Sequence, residues 1–364
     1  MRKLKLIGFL MILVSSFAFI QCTTETIVGP QGIAGIDGVD GTNGTNGTNG
    51  ANGTDGVDGA GTASCITCHS DNHRDPINSS YNLSGHAAGG AVGYAGSRGG
   101  DNHACAECHS NEGYIDYITT GSVTDADYTN PTPISCTTCH DKHSTFDFEN
   151  DGYDFALRSF EPVEMRIVGT GDIIDYGNTS NNCIECHQPR SIPSLDADEF
   201  GVEDGIITLD RRYGPHYGAQ SILLEGIYGA EIAGSTAYPT VGSAKHRTGA
   251  SCVSCHMGEA NGEDGQHTMK PTLNACATCH GDADALTTNF KAEVDGYMTE
   301  LEVLFTEKGL LVDGVDQYGA DFPTTVVDAY WNYKFIYYDH SHGVHNPGYT
   351  KALLKNSIEA LEAL

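Results

Sequence analysis

Cys-x-x-Cys-His occurs six times in this 364-residue chain: Cys65-Ile-Thr-Cys68-His69, Cys105-Ala-Glu-Cys108-His109, Cys136-Thr-Thr-Cys139-His140, Cys183-Ile-Glu-Cys186-His187, Cys252-Val-Ser-Cys255-His256 and Cys276-Ala-Thr-Cys279-His280. These motifs use twelve of the thirteen cysteines and leave only Cys22. Two thiols at this spacing form thioethers to the two vinyl groups of one porphyrin, and the next imidazole then sits under the iron as an axial ligand. Zinc sites and vicinal disulfides also use Cys-x-x-Cys, but neither requires a histidine directly after the second cysteine. A thioredoxin-like centre would occur once. The pattern predicts six covalent haems c on the twelve motif cysteines, with His69, His109, His140, His187, His256 and His280 as proximal ligands.

Motif spacing is irregular, so the chain is not a solenoid repeat. With six cofactors between Cys65 and His280, porphyrin replaces much of the apolar interior, in keeping with 45 glycines and only 39% hydrophobic residues. The expected fold is mainly α with extensive loops and little or no β-sheet, wrapped around the haems. Residues 62–282 form the expected hexahaem domain, and residues 283–364 a C-terminal helical segment supplying one distal ligand. Phe290, Val294, Met298, Leu301 and Phe305 lie near helical spacing and predict a helix over 284–307. A second helix is expected over about 326–338 and a third at the end of the chain.

Ten histidines lie outside the motifs: His73, His86, His103, His143, His216, His246, His267, His340, His342 and His345. Met165, Met257, Met269 and Met298, the four methionines beyond residue 21, are too few to serve six irons. Two imidazoles per iron close both faces and give a potential below that of a His/Met site. Asn82-Leu-Ser-Gly-His86, Cys139-His140-Asp-Lys-His143, Gly214-Pro-His216-Tyr-Gly, Lys245-His246-Arg-Thr-Gly, Gly265-Gln-His267 and Gly343-Val-His345-Asn-Pro resemble distal-ligand segments of multihaem cytochromes c. That resemblance makes His86, His143, His216, His246, His267 and His345 the expected distal ligands. His103 and His342 are the first substitutes, followed by His73 and His340.

The stretch from Cys252 through Met257 and His267 to His280, with the tail Asp339-His-Ser-His-Gly-Val-His345-Asn-Pro, is similar to the last two haem sites of pentahaem cytochrome c nitrite reductases and octahaem hydroxylamine oxidoreductases. The likeness covers roughly residues 210–364; the front half looks like multihaem cytochromes c in general. Those nitrite reductases carry Cys-x-x-Cys-Lys at the catalytic haem, whereas every motif here ends in histidine. The resemblance therefore implies the scaffold without the catalytic site. The expected function is electron transfer along closely spaced bis-histidine haems, with no catalytic residue. The alternative is a reductase of nitrite, hydroxylamine or a related small oxyanion at one five-coordinate haem. A third reading stacks subunits into a conducting filament.

Arg2, Lys3 and Lys5 precede an apolar run from Leu6 to Ile20, which reads as an export signal over residues 1–21. Cys22 then fits a bacterial lipoprotein anchor; ordinary cleavage after Ala18 is the alternative. From Gly29 to Gly59 every third residue is glycine. Residues 22–61 are thus a spacer, either a flexible tether or a short collagen-like trimer. The expected location is exported, at the bacterial outer membrane on its periplasmic or cell-surface side. A net charge of −29 repels phosphate, so nucleic acid is excluded as a partner. Other redox proteins or extracellular electron acceptors are the expected partners. Asp147-Phe-Glu149-Asn-Asp151-Gly152-Tyr-Asp154 approximates the start of a calcium loop, but Arg158 stands where such a loop has Glu; an acidic surface loop is the alternative. The tyrosines and Trp331 are expected at haem edges, and Arg190, Arg211 and Arg212 are candidate partners for propionates.

Overall fold

The computed structural model describes residues 62–96, 103–123, 128, 130–144, 155–193 and 202–364. The export signal, Cys22, the 22–61 spacer and the calcium-like stretch 147–154 lie outside the described residues. The described chain is helical with long irregular connections and three two-stranded antiparallel sheets.

The front of the chain consists of short helices. Helix α1 spans Thr62–His69, α2 Asp71–Tyr81, α3 His103–His109 and α4 Asn111–Thr120. Serines begin several of the turns: Ser110 Oγ accepts from Gly113 N at 3.1 Å at α4, and Ser84 Oγ accepts from Ala87 N at 3.0 Å at the turn Gly85–Ala88. These bonds satisfy amides that a helix start leaves without partners. Helix α2 contains Pro76 and buries no side chain.

The middle of the chain is mostly loop, with short strands as clips. Strand β1 (Val163–Glu164) pairs with β2 (Ile173–Ile174), with Val163 opposite Ile174. Strand β3 (Ile206–Thr208) pairs with β6 (Asp321–Pro323), placing buried Ile207 opposite buried Phe322. Strands β4 (Leu311–Val312) and β5 (Val315–Asp316) make a hairpin.

Three long helices form the back: α5 over Ala283–Glu307, α6 over Thr324–Asp339 and α7 over Pro347–Glu362. Their bounds follow the apolar spacing of the sequence. Asp282 caps α5 by accepting from Ala285 N at 3.1 Å. Asn346 caps α7 by accepting from Tyr349 N at 3.1 Å, with Pro347 in the first helical position, where its missing N–H costs nothing. Both α5 and α6 pack on α7. Val294, Leu301 and Phe305 of α5, Val327, Trp331 and Phe335 of α6, and Leu353, Leu354 and Ile358 of α7 are buried in one cluster. Met165, Ile184, Leu209, Ile222 and Leu223 extend that cluster under the middle loops. Each such side chain contributes roughly 1.5–3 kcal/mol of burial. The loop after Glu225 is held by side chains of the helices: Trp331 Nε1 donates to Tyr228 O at 2.9 Å, Asn332 Nδ2 to Ala230 O at 2.8 Å and Asn356 Nδ2 to Thr236 O at 2.9 Å.

No helix of the described residues is long and apolar enough to cross a membrane.

Candidate functional site

Four of the motifs lie on a helical turn: α1, α3, and the turns Cys136–Cys139 and Cys252–His256; the fourth motif begins in the turn Asn181–Ile184 and continues with His187 N donating to Cys183 O at 3.0 Å. The sixth begins in the turn Leu273–Ala277, where Thr272 Oγ1 accepts from Ala275 N at 3.1 Å. Residues three apart share a helix face, so each turn presents its two thiols on one side with the imidazole following.

Every motif histidine faces one other imidazole. Ring centres lie 6.1 Å apart for His69–His143, 6.2 Å for His109–His216, 6.4 Å for His140–His267, 6.3 Å for His86–His187, 6.1 Å for His256–His345 and 6.1 Å for His246–His280. Two imidazoles on one metal, each with a bond of about 2.0–2.1 Å and about 1.1 Å from nitrogen to ring centre, stand roughly 6.3 Å apart. Ordinary aromatic contacts scatter over about 4.5–7 Å. Six pairs in so narrow a range, each joining one motif histidine to one of the six expected distal ones, fit a single iron between the two rings.

Hydrogen bonding suits the same role. His140 Nδ1 lies 2.6 Å from Phe155 O, His246 Nδ1 2.6 Å from Val344 O, His256 Nδ1 2.8 Å from Met269 O and His187 Nδ1 3.0 Å from Gln220 Oε1. An imidazole that donates from Nδ1 presents its Nε2 lone pair to a metal. Burial pushes His86 and His216 down to about 4, and holds His109, His187, His256 and His267 below the ordinary value, so these rings are neutral at pH 7, as ligation requires. His345 differs. Burial alone would lower it, but the Asp339 carboxylate at 2.5 Å raises it instead. Buried polar atoms without a partner among the described residues flank the fourth motif: Asn182 Oδ1 and both amide atoms of Gln188. A haem propionate is the kind of group that would accept from Gln188 Nε2.

The motifs also touch one another. Cys183 lies beside Cys252, and Cys186 beside Cys108. Cys139 lies beside Cys183 and Cys186, and Cys255 beside Cys276. The fourth motif therefore adjoins the second, third and fifth, and the fifth adjoins the sixth. Gly218 helps here. A Cβ at this position would run into the Gln188 carbonyl, so only glycine lets the His216 loop lie against the fourth motif.

Arg166 is a site residue that sequence reasoning missed. Its guanidinium pairs with Glu107, inside the second motif, and with Glu185 at 3.1 Å, inside the fourth; it also donates to Glu185 O at 2.8 Å and lies 4.0 Å from the Tyr117 ring centre. Burial pushes the Glu107 carboxyl up more than the Arg166 charge pulls it down. The only hint in the sequence was a glutamate between the cysteines of both motifs.

No protein-family model matches the chain. Among curated proteins it is similar to the C-type polyheme cytochrome OmcB of Geobacter sulfurreducens, from strain DL-1/KN400 and from strain PCA, with 24% identity over 282 residues and 62% of this chain covered. This similarity supports the multihaem c-type cytochrome family. The match spans 37% of the length of those relatives. Among solved structures, the chain is similar to the outer cell wall cytochrome OcwA, with a TM-score of 0.49, 19% identity, and 78% of this chain and 49% of that one covered. It is also similar to the undecaheme cytochrome from the S-layer of Carboxydothermus ferrireducens, with a TM-score of 0.46, 20% identity, and 75% and 40% covered. Covalently bound haem c is the cofactor of this class. The sequence likeness of residues 210–364 to nitrite reductases is not among these similarities.

Among the described residues, the side chains of His73, His340 and His342 do not pair with a motif imidazole. His342 Nδ1 lies 2.6 Å from Asp295 Oδ1 on the surface. His340 stacks on Tyr217, with ring centres 5.6 Å apart, and His73 is exposed on α2. The His103 backbone begins α3, but its side chain lies outside the described residues. Exposed Tyr94 and Tyr217 lie 5.8 Å from His109 and 5.3 Å from His216, at the edge of that imidazole pair. Trp331 instead belongs to the helical core. Arg190, Arg211 and Arg212 are exposed.

Proposed function

We propose that the cytochrome is an electron carrier with six haems c, one on each Cys-x-x-Cys-His motif, each closed on its far face by the paired histidine. The pairs would be His69 with His143, His109 with His216, His140 with His267, His187 with His86, His256 with His345 and His280 with His246. The observation that carries this reading is the set of six imidazole separations, all within 6.1–6.4 Å. When bound, haem iron stores and releases one electron without binding substrate. The chain's residues do the rest. Thiols anchor the macrocycles, paired imidazoles close both faces, and the acceptors on Nδ1 hold the rings in one tautomer. Contacts of the fourth motif with the second, third and fifth support a branched path centred on it.

Each motif histidine has an imidazole opposite, which favours the carrier over the reductase. The test is intact mass and haem quantification, followed by electron paramagnetic resonance with and without nitrite or hydroxylamine. Six low-spin haems with no response are expected; a high-spin ferric signal that shifts on addition would replace the carrier with the reductase.

The apolar run to Ile20 followed by Cys22 supports export and a lipid anchor, with residues 22–61 as spacer. Cys22→Ala should then move the protein from the membrane to the soluble fraction. The net charge of −29 supports neutral or cationic redox partners.

A further inference from the structure

We propose that the cytochrome builds a potential step between two adjacent haem sites: the Asp339 carboxylate holds the His256/His345 site low, and the Met269 thioether leaves the His86/His187 site high. This rests on the bis-histidine reading above. The two sites are neighbours: Val253 N, inside the fifth motif, donates at 3.0 Å to Ser180 Oγ, three residues before Cys183 of the fourth.

Their imidazoles donate to very different acceptors. His345 Nδ1 lies 2.5 Å from Asp339 Oδ1, and the Asp339 side chain is fully enclosed at 0% exposure. Its other oxygen accepts from Ser341 N at 3.1 Å and from the Ser341 hydroxyl; no lysine or arginine is among its described partners. A carboxylate that draws the Nδ1 proton makes the ring a stronger donor to iron. Its charge, shielded from water, also favours the ferric state. Both effects lower the potential.

His86 Nδ1 instead meets Met269 Sδ at 3.1 Å, a neutral and weak acceptor. Opposite it, the described partner of His187 Nδ1 is the neutral Gln220 amide. The other described Nδ1 acceptors of motif-paired rings, Phe155 O, Val344 O and Met269 O, are backbone carbonyls of intermediate strength. Two residues span both sites. Met269 offers its sulfur to His86 and its carbonyl to His256. Gln220 holds His187 while donating from Nε2 to Asp339 O at 3.3 Å. Exchange between the two irons oxidises one from ferrous to ferric and reduces the other, with no proton or bond moved. An electron arriving here therefore rests at the His86/His187 site, which also adjoins the second and third motifs.

The test is a spectroscopic redox titration of the full-length protein, with haem number and low-spin spectrum checked in parallel. Asp339→Asn should raise the lowest of the six one-electron components by a tenfold or larger change in equilibrium constant, about 59 mV for one electron. Met269→Gln replaces sulfur with an amide oxygen and should lower the highest component severalfold. Met269→Gln still decides the matter if Asp339→Asn does not fold. Unchanged components in a variant with native haem number and low-spin spectrum would overturn the step alone. A wild-type protein lacking low-spin bis-histidine haems would overturn the underlying reading and the step with it.

Discussion

The described residues of 62–144 and those of 202–364 fill their interiors differently. In the front, α2 buries nothing, and Ala95, Ala106 and Tyr114 are the buried apolar side chains. In the back, α5, α6 and α7 enclose a continuous cluster including Phe305, Trp331, Phe335, Tyr349 and Leu353. Two imidazole pairs bridge the two parts, His109–His216 and His140–His267, and His86–His187 ties the front to the middle of the chain. On the proposed haem ligation, paired histidines would take the place of leucine in the front, while the back encloses an apolar core with side chains alone.

The largest expected effect is therefore of haem removal. In haem-free chain, hydrogen exchange should reach the unprotected limit across 62–144 while amides of α6 and α7 stay protected. Equal loss in both parts would end the contrast. Arg166→Ala comes next. It leaves Glu107 and Glu185 buried without their cation and should cost about 3–5 kcal/mol in denaturant unfolding of the holoprotein. Leu353→Ala in the helical core should cost about 2–5 kcal/mol, whereas Ile66→Ala, at a side chain 58% exposed, should stay within about 0.5 kcal/mol. The smallest effect concerns pH. Burial raises the Asp328 carboxyl from 3.8 to about 6, so its ionisation opposes folding above pH 6 and the penalty disappears below the unfolded value. Asp328→Asn should raise Tm at pH 7, and the gain should vanish below about pH 4.

Several features were legible in the residues. Helices α5, α6 and α7 followed from apolar periodicity, because each must bury one stripe. The six candidate distal histidines came from short segments resembling known ligand loops, and the structure sets each opposite a motif histidine. Arg166 was not legible, because Glu107 and Glu185 meet it only after two distant motifs are brought together. Met269 was read as one of too few methionines to ligate iron. Its contact with His86 depends on the turn Gln266–Thr268 reaching the front of the chain.

What the sequence by itself determined is local covalent chemistry. Two thiols and an imidazole within five residues can grip one porphyrin edge whatever the surrounding fold, so the motifs read directly. Only the tertiary structure decided which imidazole faces which motif, which motifs adjoin, and which acceptor stands behind each ring. Those choices depend on packing between residues far apart along the chain, where spacing carries no information.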